Sequence, residues 1–437
     1  MKQNILYLLI AICMFSLYAC NSKVAKSNQV ESNTNKFAPL KERNAELAKL
    51  PDWNTVKEQA NELQAKILFD SNDVKSKILL AQLYMQEARV TGEHPYYYPA
   101  TLTILDHVIH QDPANFEGLA FKASVLLSLH HFQEALVVGT QAVKVNPNNG
   151  FIYGILCDAN VELGNYEAAV AMSDKMQSIR PGLESYSRAS YLREIYGDNA
   201  GAVEAMKLAF QAGLPGSEEA SWAGNTLAHL LENTGDLKHA EELAHIILEQ
   251  RPSYAFATDA LGRIELAKGN YDQSIVLFKQ AIDVMPEFSF YENMARAYEE
   301  KGDKIKAKEL YKEVLTMLAE DAKSGHYADM ELAHVYLKLG DFDKALEHAN
   351  IEYKRRPLNI DVNSTMAWVY FAKGNPAEAK RHMDVAMRMG TQNAVCLAKA
   401  SMIEKALGNS KLAQTYMDKS KRVNERLPKD LSQELKA

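Results

Sequence analysis

Two short segments place metal-ligand residue types at helical spacing: Glu242-x-x-His245 and Glu331-x-x-His334. Residues three apart share one face of a helix, so each segment presents a carboxylate beside an imidazole. Two ligands do not make a site. The segments also fall in different repeats of the chain, too far apart in a linear stack to share one ion. There is no Gly-rich phosphate loop, no Cys-x-x-Cys, no His-Glu-x-x-His and no Gly-x-Ser-x-Gly. No catalytic residue, metal or cofactor is therefore expected, and the chemistry left to the chain is recognition.

Composition narrows what is recognised. Lys+Arg 49 against Asp+Glu 56 gives a net charge of −7. A generic nucleic-acid binder needs a basic face to neutralise phosphates, so nucleic acid is not expected as a partner. Thirteen Pro and 21 Gly in 437 residues are too few for a disordered chain, and four Cys exclude a disulfide scaffold. Cys157 and Cys396 fall on helices seven repeat units apart, which excludes a disulfide between them; each reads as a small packing residue.

The elements that position the recognising residues repeat. Gly164, Gly197, Gly235, Gly269, Gly302, Gly340, Gly374 and Gly408 are spaced 33, 38, 34, 33, 38, 34 and 34, and each is followed by Asn or Asp. Each pair separates two apolar-periodic stretches of helical length. The Gly suits a left-handed helix stop, and the Asx side chain can cap the next helix. Seven residues before each Gly, and five after it, stands a small residue: Gly262 and Ser274, for example, or Ala295 and Ala307. Small side chains let the two helices of a hairpin approach closely, so Gly262 and Ala295 are expected at helix crossings.

This pattern resembles the tetratricopeptide repeat, TPR, whose signature is W-x2-L-G-x2-Y, then A-x3-F, then P. Leu261-Gly262, Tyr271, Ser274, Phe278, Ala281 and Pro286 carry it; so do Leu332-Ala333, Tyr336, Gly340, Phe342, Ala345 and Pro357. The resemblance implies an all-α solenoid of helix hairpins, a right-handed superhelix of about nine to ten repeats. The array spans 74–427, after a capping helix region at 43–73 with a helix at about 52–70, and before a C-terminal tail at 428–437.

The family's concave surface is lined by first helices. Carried onto this chain, the resemblance implies a partner-binding groove of Arg188, Tyr191, Trp222, Asn225, His229, Phe256, Arg263, Asn293, Arg296, Tyr327 and His334. Glu194, Glu232, Glu331, Lys338, Trp368 and Phe371 fall at similar positions. Aromatics, amides and both charge signs suit a protein or peptide segment. Asp259–Arg263 and Glu292–Arg296 also read as acid-to-base pairs at i,i+4 that support their helices, and Trp222 and Phe256 as packing between repeats. The Lys/Asn/Asn/Lys/Arg set of chaperone-binding TPRs has no place here.

Insertions interrupt the period near 213–216 and 322–325. The largest is Gly92-Glu93-His94-Pro95-Tyr96-Tyr97-Tyr98-Pro99, whose two Pro read as extended. Two readings of Tyr96, Tyr97 and Tyr98 stay open: a loop packed over the end of the array, or a contact loop for a partner. The second belongs with an alternative function, an envelope assembly factor recruiting an enzyme or transporter by this loop or the convex face. His130-His131 reads as a solvated helix turn.

The chain opens with an address. Lys2 precedes an uncharged run from Ile5 to Ala19, too short to span a membrane comfortably. The run ends Leu17-Tyr18-Ala19-Cys20, which resembles the lipobox of bacterial lipoproteins; Tyr18 departs from the usual residue there. This implies a signal peptide at 1–19, lipidation of Cys20, a flexible tether at 20–42 and an envelope location, with Lys23 and Lys26 favouring a periplasm-facing anchor. The expected function is a membrane-tethered adaptor or scaffold. Cys20→Ser is then expected to abolish lipid labelling and release the protein from membranes. A variant that still resists a high-salt wash removes the anchor from consideration.

Overall fold

A computed structural model describes residues 37–427 and Leu431. The expected signal peptide, Cys20, the expected tether as far as residue 36 and the rest of the C-terminal tail lie outside the described residues.

Twenty-one α-helices and one short 3-10 turn account for the described elements. Helix α1 (Trp53–Phe69) comes first, followed by ten hairpins. They are α2 (Val74–Thr91) with α3 (His94–Gln111), α4 (Phe116–Ser128) with α5 (Phe132–Val145), and α6 (Gly150–Leu163) with α7 (Tyr166–Ile179). Next come α8 (Leu183–Ile195) with α9 (Asn199–Ala212), α10 (Glu218–Asn233) with α11 (Leu237–Gln250), and α12 (Ala255–Lys268) with α13 (Tyr271–Val284). Then follow α14 (Phe288–Lys301) with α15 (Lys304–Lys323), and α16 (Asp329–Leu339) with α17 (Phe342–Arg355). Last are α18 (Ile360–Ala372) with α19 (Pro376–Ala386), and α20 (Ala394–Ala406) with α21 (Ser410–Val423). The hairpins are numbered here as units 1 to 10.

The sequence signals act as their chemistry dictates. All eight turn glycines have φ between 74° and 103°, where a Cβ would strain the backbone. The small residues are buried at the crossings, and a Cβ on Gly262 would sit 2.6 Å from the Phe278 ring. At the two first-helix serines the hydroxyl crosses the hairpin: Ser190 Oγ donates to Ala202 O, and Ser401 Oγ to Ala413 O, both at 2.7 Å, whereas Ser274 Oγ, on a second helix, is buried without a hydrogen-bond partner.

The Asx residues divide. Asp198, Asp236, Asp303, Asp341 and Asn375 cap their helices by accepting from a backbone N–H. Asn165, Asn270 and Asn409 do not. Their amides reach back and donate to Asn160 at 3.4 Å, Glu265 at 2.7 Å and Glu404 at 2.6 Å. An amide can donate and a carboxylate cannot. At Asn375 the residue five positions back is Tyr370, which offers no such carboxylate or amide acceptor, and Asn375 caps.

The Tyr-rich segment corrects the expected extended loop. It forms the first turns of α3, with Pro95 in the first turn and Pro99 inside the helix. Tyr97 and Tyr98 are buried, and the hydroxyls of this end hold the incoming chain. Tyr96 Oη donates to Pro39 O at 2.6 Å, Tyr84 Oη donates to Ala38 O, and Lys41 N donates to Tyr97 Oη at 3.1 Å. Residues 37–42, assigned above to a flexible tether, are thus packed on unit 1. Arg43 follows with its side chain wholly buried against Glu87 (2.6 Å) and Asp52 (2.9 Å).

The stack also turns back onto itself. The turn of each of units 1 to 5 meets the linker that follows the unit five places on. Gly92 lies against Met285, Leu129–His131 against Gly325–Tyr327, and Gly164 against Leu358–Asn359. Gly197 lies against Gly390, and Gly235 against Asn424. The expectation that each unit touches only its neighbours is therefore corrected. So is the solvated reading of His130-His131: His131 Nε2 lies 2.7 Å from Gly325 O, and its ring stacks on Tyr327 at 3.9 Å.

The seam has one recurring chemistry. The last carbonyls of a helix have no intrahelical partner and carry the negative end of its dipole. Tyr327 N donates to Leu129 O at 3.1 Å. Asn359 Nδ2 donates to Glu162 O at 3.0 Å, and Arg388 Nη2 to Gly164 O at 2.8 Å. Asn424 Nδ2 donates to Glu232 O at 3.1 Å.

Gly164 and Gly340 separate the two demands on a turn glycine. Both have positive φ, 79° and 76°, but a Cβ on Gly164 would sit 2.4 Å from the Leu358 carbonyl carbon, while one on Gly340 meets open space. Alanine at either should cost about 1–2 kcal/mol of backbone strain. Gly164→Ala should melt at a lower temperature than Gly340→Ala, with faster amide exchange at Ile360, whose N–H donates to Tyr166 Oη at 2.9 Å. Equal melting temperatures and equal exchange would show that the seam adds nothing to stability.

Candidate functional site on the inner face

First helices α6, α8 and α10, with Arg89 of α2 and Met206 of α9, enclose a cavity of about 510 Å³. Tyr191 and Trp222 stand in its wall at 40% and 44% exposure, although each is large and apolar enough to favour burial. Arg188 also lines it, and each of its guanidinium nitrogens is engaged within the protein. Its guanidinium bonds both oxygens of Asp158 at 2.9 and 2.7 Å, Gly154 O at 3.1 Å and Glu184 O at 2.8 Å. Gly154 makes room for this, since a Cβ there would lie 2.9 Å from Arg188 Cζ.

Beyond the cavity, polar residues link successive first helices. Arg263 Nε donates to Glu232 of the preceding unit at 3.1 Å, and its Nη1 pairs with Asp259. Asn293 Nδ2 of the next unit donates to Asp259 at 2.9 Å. Burial would push Glu232 up, but Arg263 and His229 beside it hold it at about 2. His229 itself is exposed, and Asn225 has its Oδ1 buried with no hydrogen-bond partner. Arg263 is thus fixed by its own protein, and Arg263 and Asn293 tie units 5, 6 and 7 together.

Three expected groove residues stand elsewhere or differently. Arg296 donates to Glu300, one turn after it at 3.0 Å, rather than pairing with Glu292 one turn before. Phe256 packs edge-on against Phe290 at 5.2 Å, as an inter-repeat core residue. Tyr327 precedes α16 in the linker and is sandwiched in the seam between His131 and Arg355, each 3.9 Å from its ring. The four-residue insertion near 322–325 lengthens α15 and carries this linker to the seam, where a residue count along first helices misplaces it. His334 Nε2 lies 2.8 Å from Thr365 Oγ1 of α18, and burial pushes its pKa down to about 4. Glu331, also a first-helix position, lies 4.0 Å from His130 across the seam. Glu242 and His245 are exposed on α11. Trp368 and Phe371 stack on one another at 5.0 Å.

Tetratricopeptide-repeat models match residues 288–317 and 326–350. Both fall on hairpins of the array. The chain carries an array of tetratricopeptide repeats.

Over 86 residues, 20% of this TPR chain, it is 34% identical to the probable UDP-N-acetylglucosamine–peptide N-acetylglucosaminyltransferase SEC of Arabidopsis thaliana. Over 245 residues, 53% of the chain, it is 24% identical to the human mitochondrial import receptor subunit TOM70. The chain spans 9% and 38% of those proteins' own lengths. Among solved structures, YrrB, described as a TPR protein with an unusual peptide-binding site, is 18% identical. It covers 45% of this chain and 97% of its own, with a TM-score of 0.30. The human IFIT1 dimer with m7Gppp-AAAA is 17% identical and covers 79% and 78%, with a TM-score of 0.49.

One inner-face group makes the TPR fold sensitive to pH. Glu331 Oε2 is buried with no hydrogen-bond partner, and burial raises its pKa from 4.5 to about 7; Glu352 and Asp329 raise it further, while Arg356 opposes them. Between those values the folded chain holds a proton that the unfolded chain has released. Stability from this group therefore falls as pH rises through that window. Glu331→Gln should raise the melting temperature more at pH 8 than at pH 5. An equal change at the two pH values would mean that Glu331 is ionised in the folded protein.

Proposed function

We propose that this TPR protein is a scaffold without catalysis of its own, holding an extended protein or peptide segment inside its superhelix, and that lipidated Cys20 tethers it to a membrane of a bacterial cell envelope. The observation that carries the binding half is the cavity of about 510 Å³ whose wall leaves Tyr191 and Trp222 half-exposed. Two large aromatic side chains kept partly in water are costly unless a partner covers them. Apart from Arg89 of unit 1, the cavity is walled by units 3 to 5, away from the ends of the stack, where repeats have one neighbour fewer.

Recruitment through the Tyr-rich segment has less support. Tyr97 and Tyr98 are buried, and residues 38–41 occupy the hydroxyls of Tyr84, Tyr96 and Tyr97. A recruiting role would then fall to the outer face alone. The anchor half rests on Leu17-Tyr18-Ala19-Cys20; among the described residues no helix is long and apolar enough to cross a membrane.

Tyr191→Ala combined with Trp222→Ala should weaken retention of the native partner. Truncating one hot-spot residue typically costs about 2 kcal/mol or more, roughly 30-fold in affinity. Ile305→Ala, at a 77% exposed position on a second helix, should change nothing. The inner-face reading is lost if the double variant, folded by circular dichroism, retains its partner as well as the wild type does.

A further inference from the structure

The walls of the cavity carry more than aromatic surface. Six acids line it, Asp158, Glu162, Glu184, Glu194, Glu218 and Glu219, against two bases, Arg89 and Arg188. The cations present are consumed internally. Arg188 is bound by Asp158 and two backbone carbonyls, Arg356 pairs with Glu162, and Arg89 lies 3.8 Å from Glu218. Glu184, Glu194 and Glu219 have no ion pair among the described residues. Asp361, brought in from the next superhelical turn and itself faced by Arg356 and Lys399, adds its charge near Tyr191 and Glu194. Burial raises the Glu194 carboxyl; His229 opposes this and Asp361 reinforces it, so its ionised form is under-compensated.

A cation entering this space meets two complementary features. Carboxylates without a counter-ion are stabilised by an opposite charge, most strongly where water is thin. Tyr191 and Trp222 offer π-faces and apolar area to the stem and head of a long basic side chain. A phosphate or an acidic segment meets repulsion at the same carboxylates, which excludes a nucleic-acid strand as the occupant. Resting on the scaffold reading above, we propose that the cavity takes a Lys or Arg side chain of an extended polypeptide segment, its aliphatic stem across Tyr191 and Trp222 and its charged head at Glu194.

The test selects a randomised display library of 12-residue peptides on the full-length protein. Selected peptides are then titrated by fluorescence anisotropy against wild type, Glu194→Gln, Asp361→Asn and Trp222→Ala, each checked by circular dichroism. The expected result is enrichment of Lys or Arg beside an apolar residue. Glu194→Gln should weaken those peptides about tenfold, with a Lys→Gln version of the same peptide insensitive to the substitution. Selection of neutral or acidic peptides that still lose affinity with Trp222→Ala overturns the cationic assignment and leaves the scaffold reading standing. Failure to select any peptide, together with unaltered retention of the native partner by Trp222→Ala, overturns both.

Discussion

The unpaired carbonyls at helix C-termini are the constraint on which the rest of this structure depends. Each α-helix ends with carbonyls that its own ladder cannot satisfy. In units 6 to 10 the turn glycines face open space, and water can serve. In the first half of the array the acceptors Leu129, Glu162, Gly164 and Glu232 are instead met by donors from the following superhelical turn. The acceptor stays the same while the donor changes: a backbone N–H, an asparagine amide, an arginine. Arginine adds a charge at the negative end of the helix dipole, as Arg388 does at Gly164. Gly164 is then fixed twice, by its left-handed φ and by the neighbouring backbone, which leaves no room for a Cβ.

Unit 2 solves the same problem with other residues. Its turn has no glycine, and His130 takes φ of 63° instead. Its Nδ1 lies 3.1 Å from Tyr327 O and 3.0 Å from His326 Nε2, so one proton serves either neighbour. Burial keeps these imidazoles neutral, with His326 pushed down to about 3. A neutral pair suits a seam in which two imidazolium ions would repel. The added residues before Tyr327 let the linker reach this turn. The irregular spacing at that point of the repeat is therefore a requirement of closure.

The hairpins were legible in the sequence because their determinants are local. A turn glycine, an Asx after it and small residues seven before and five after all act within one unit, and Gly262 against Phe278 is that rule in atoms. Closure was not legible, because it sums small rotations over five units and joins residues about 190 positions apart, such as Glu162 and Arg356. What depends on closure was misplaced with it: Tyr327 counted as a groove anchor, and His130-His131 as solvated. The Tyr-rich segment failed for a different reason. Two prolines read as extended chain, yet proline is well tolerated in a first helical turn, and Pro95 sits there. The inner face was legible in part: Tyr191, Trp222 and Arg188 line one cavity and Arg263 pairs with Asp259 four residues before it, but the bonds of Arg188 and Arg263 to preceding first helices depend on residues 30 and 31 positions away, Asp158 and Glu232.

Closure also changes what the inner face can do. An open superhelix offers its groove from the side along its whole length. Here the first turn meets the second at five places, which closes the side between those turns. The same closure brings Asp361, itself faced by Arg356 and Lys399, near Tyr191 and Glu194. The electrostatic surroundings of the cavity are therefore set by two superhelical turns together, and a residue count within one repeat does not reach Asp361 from Glu194.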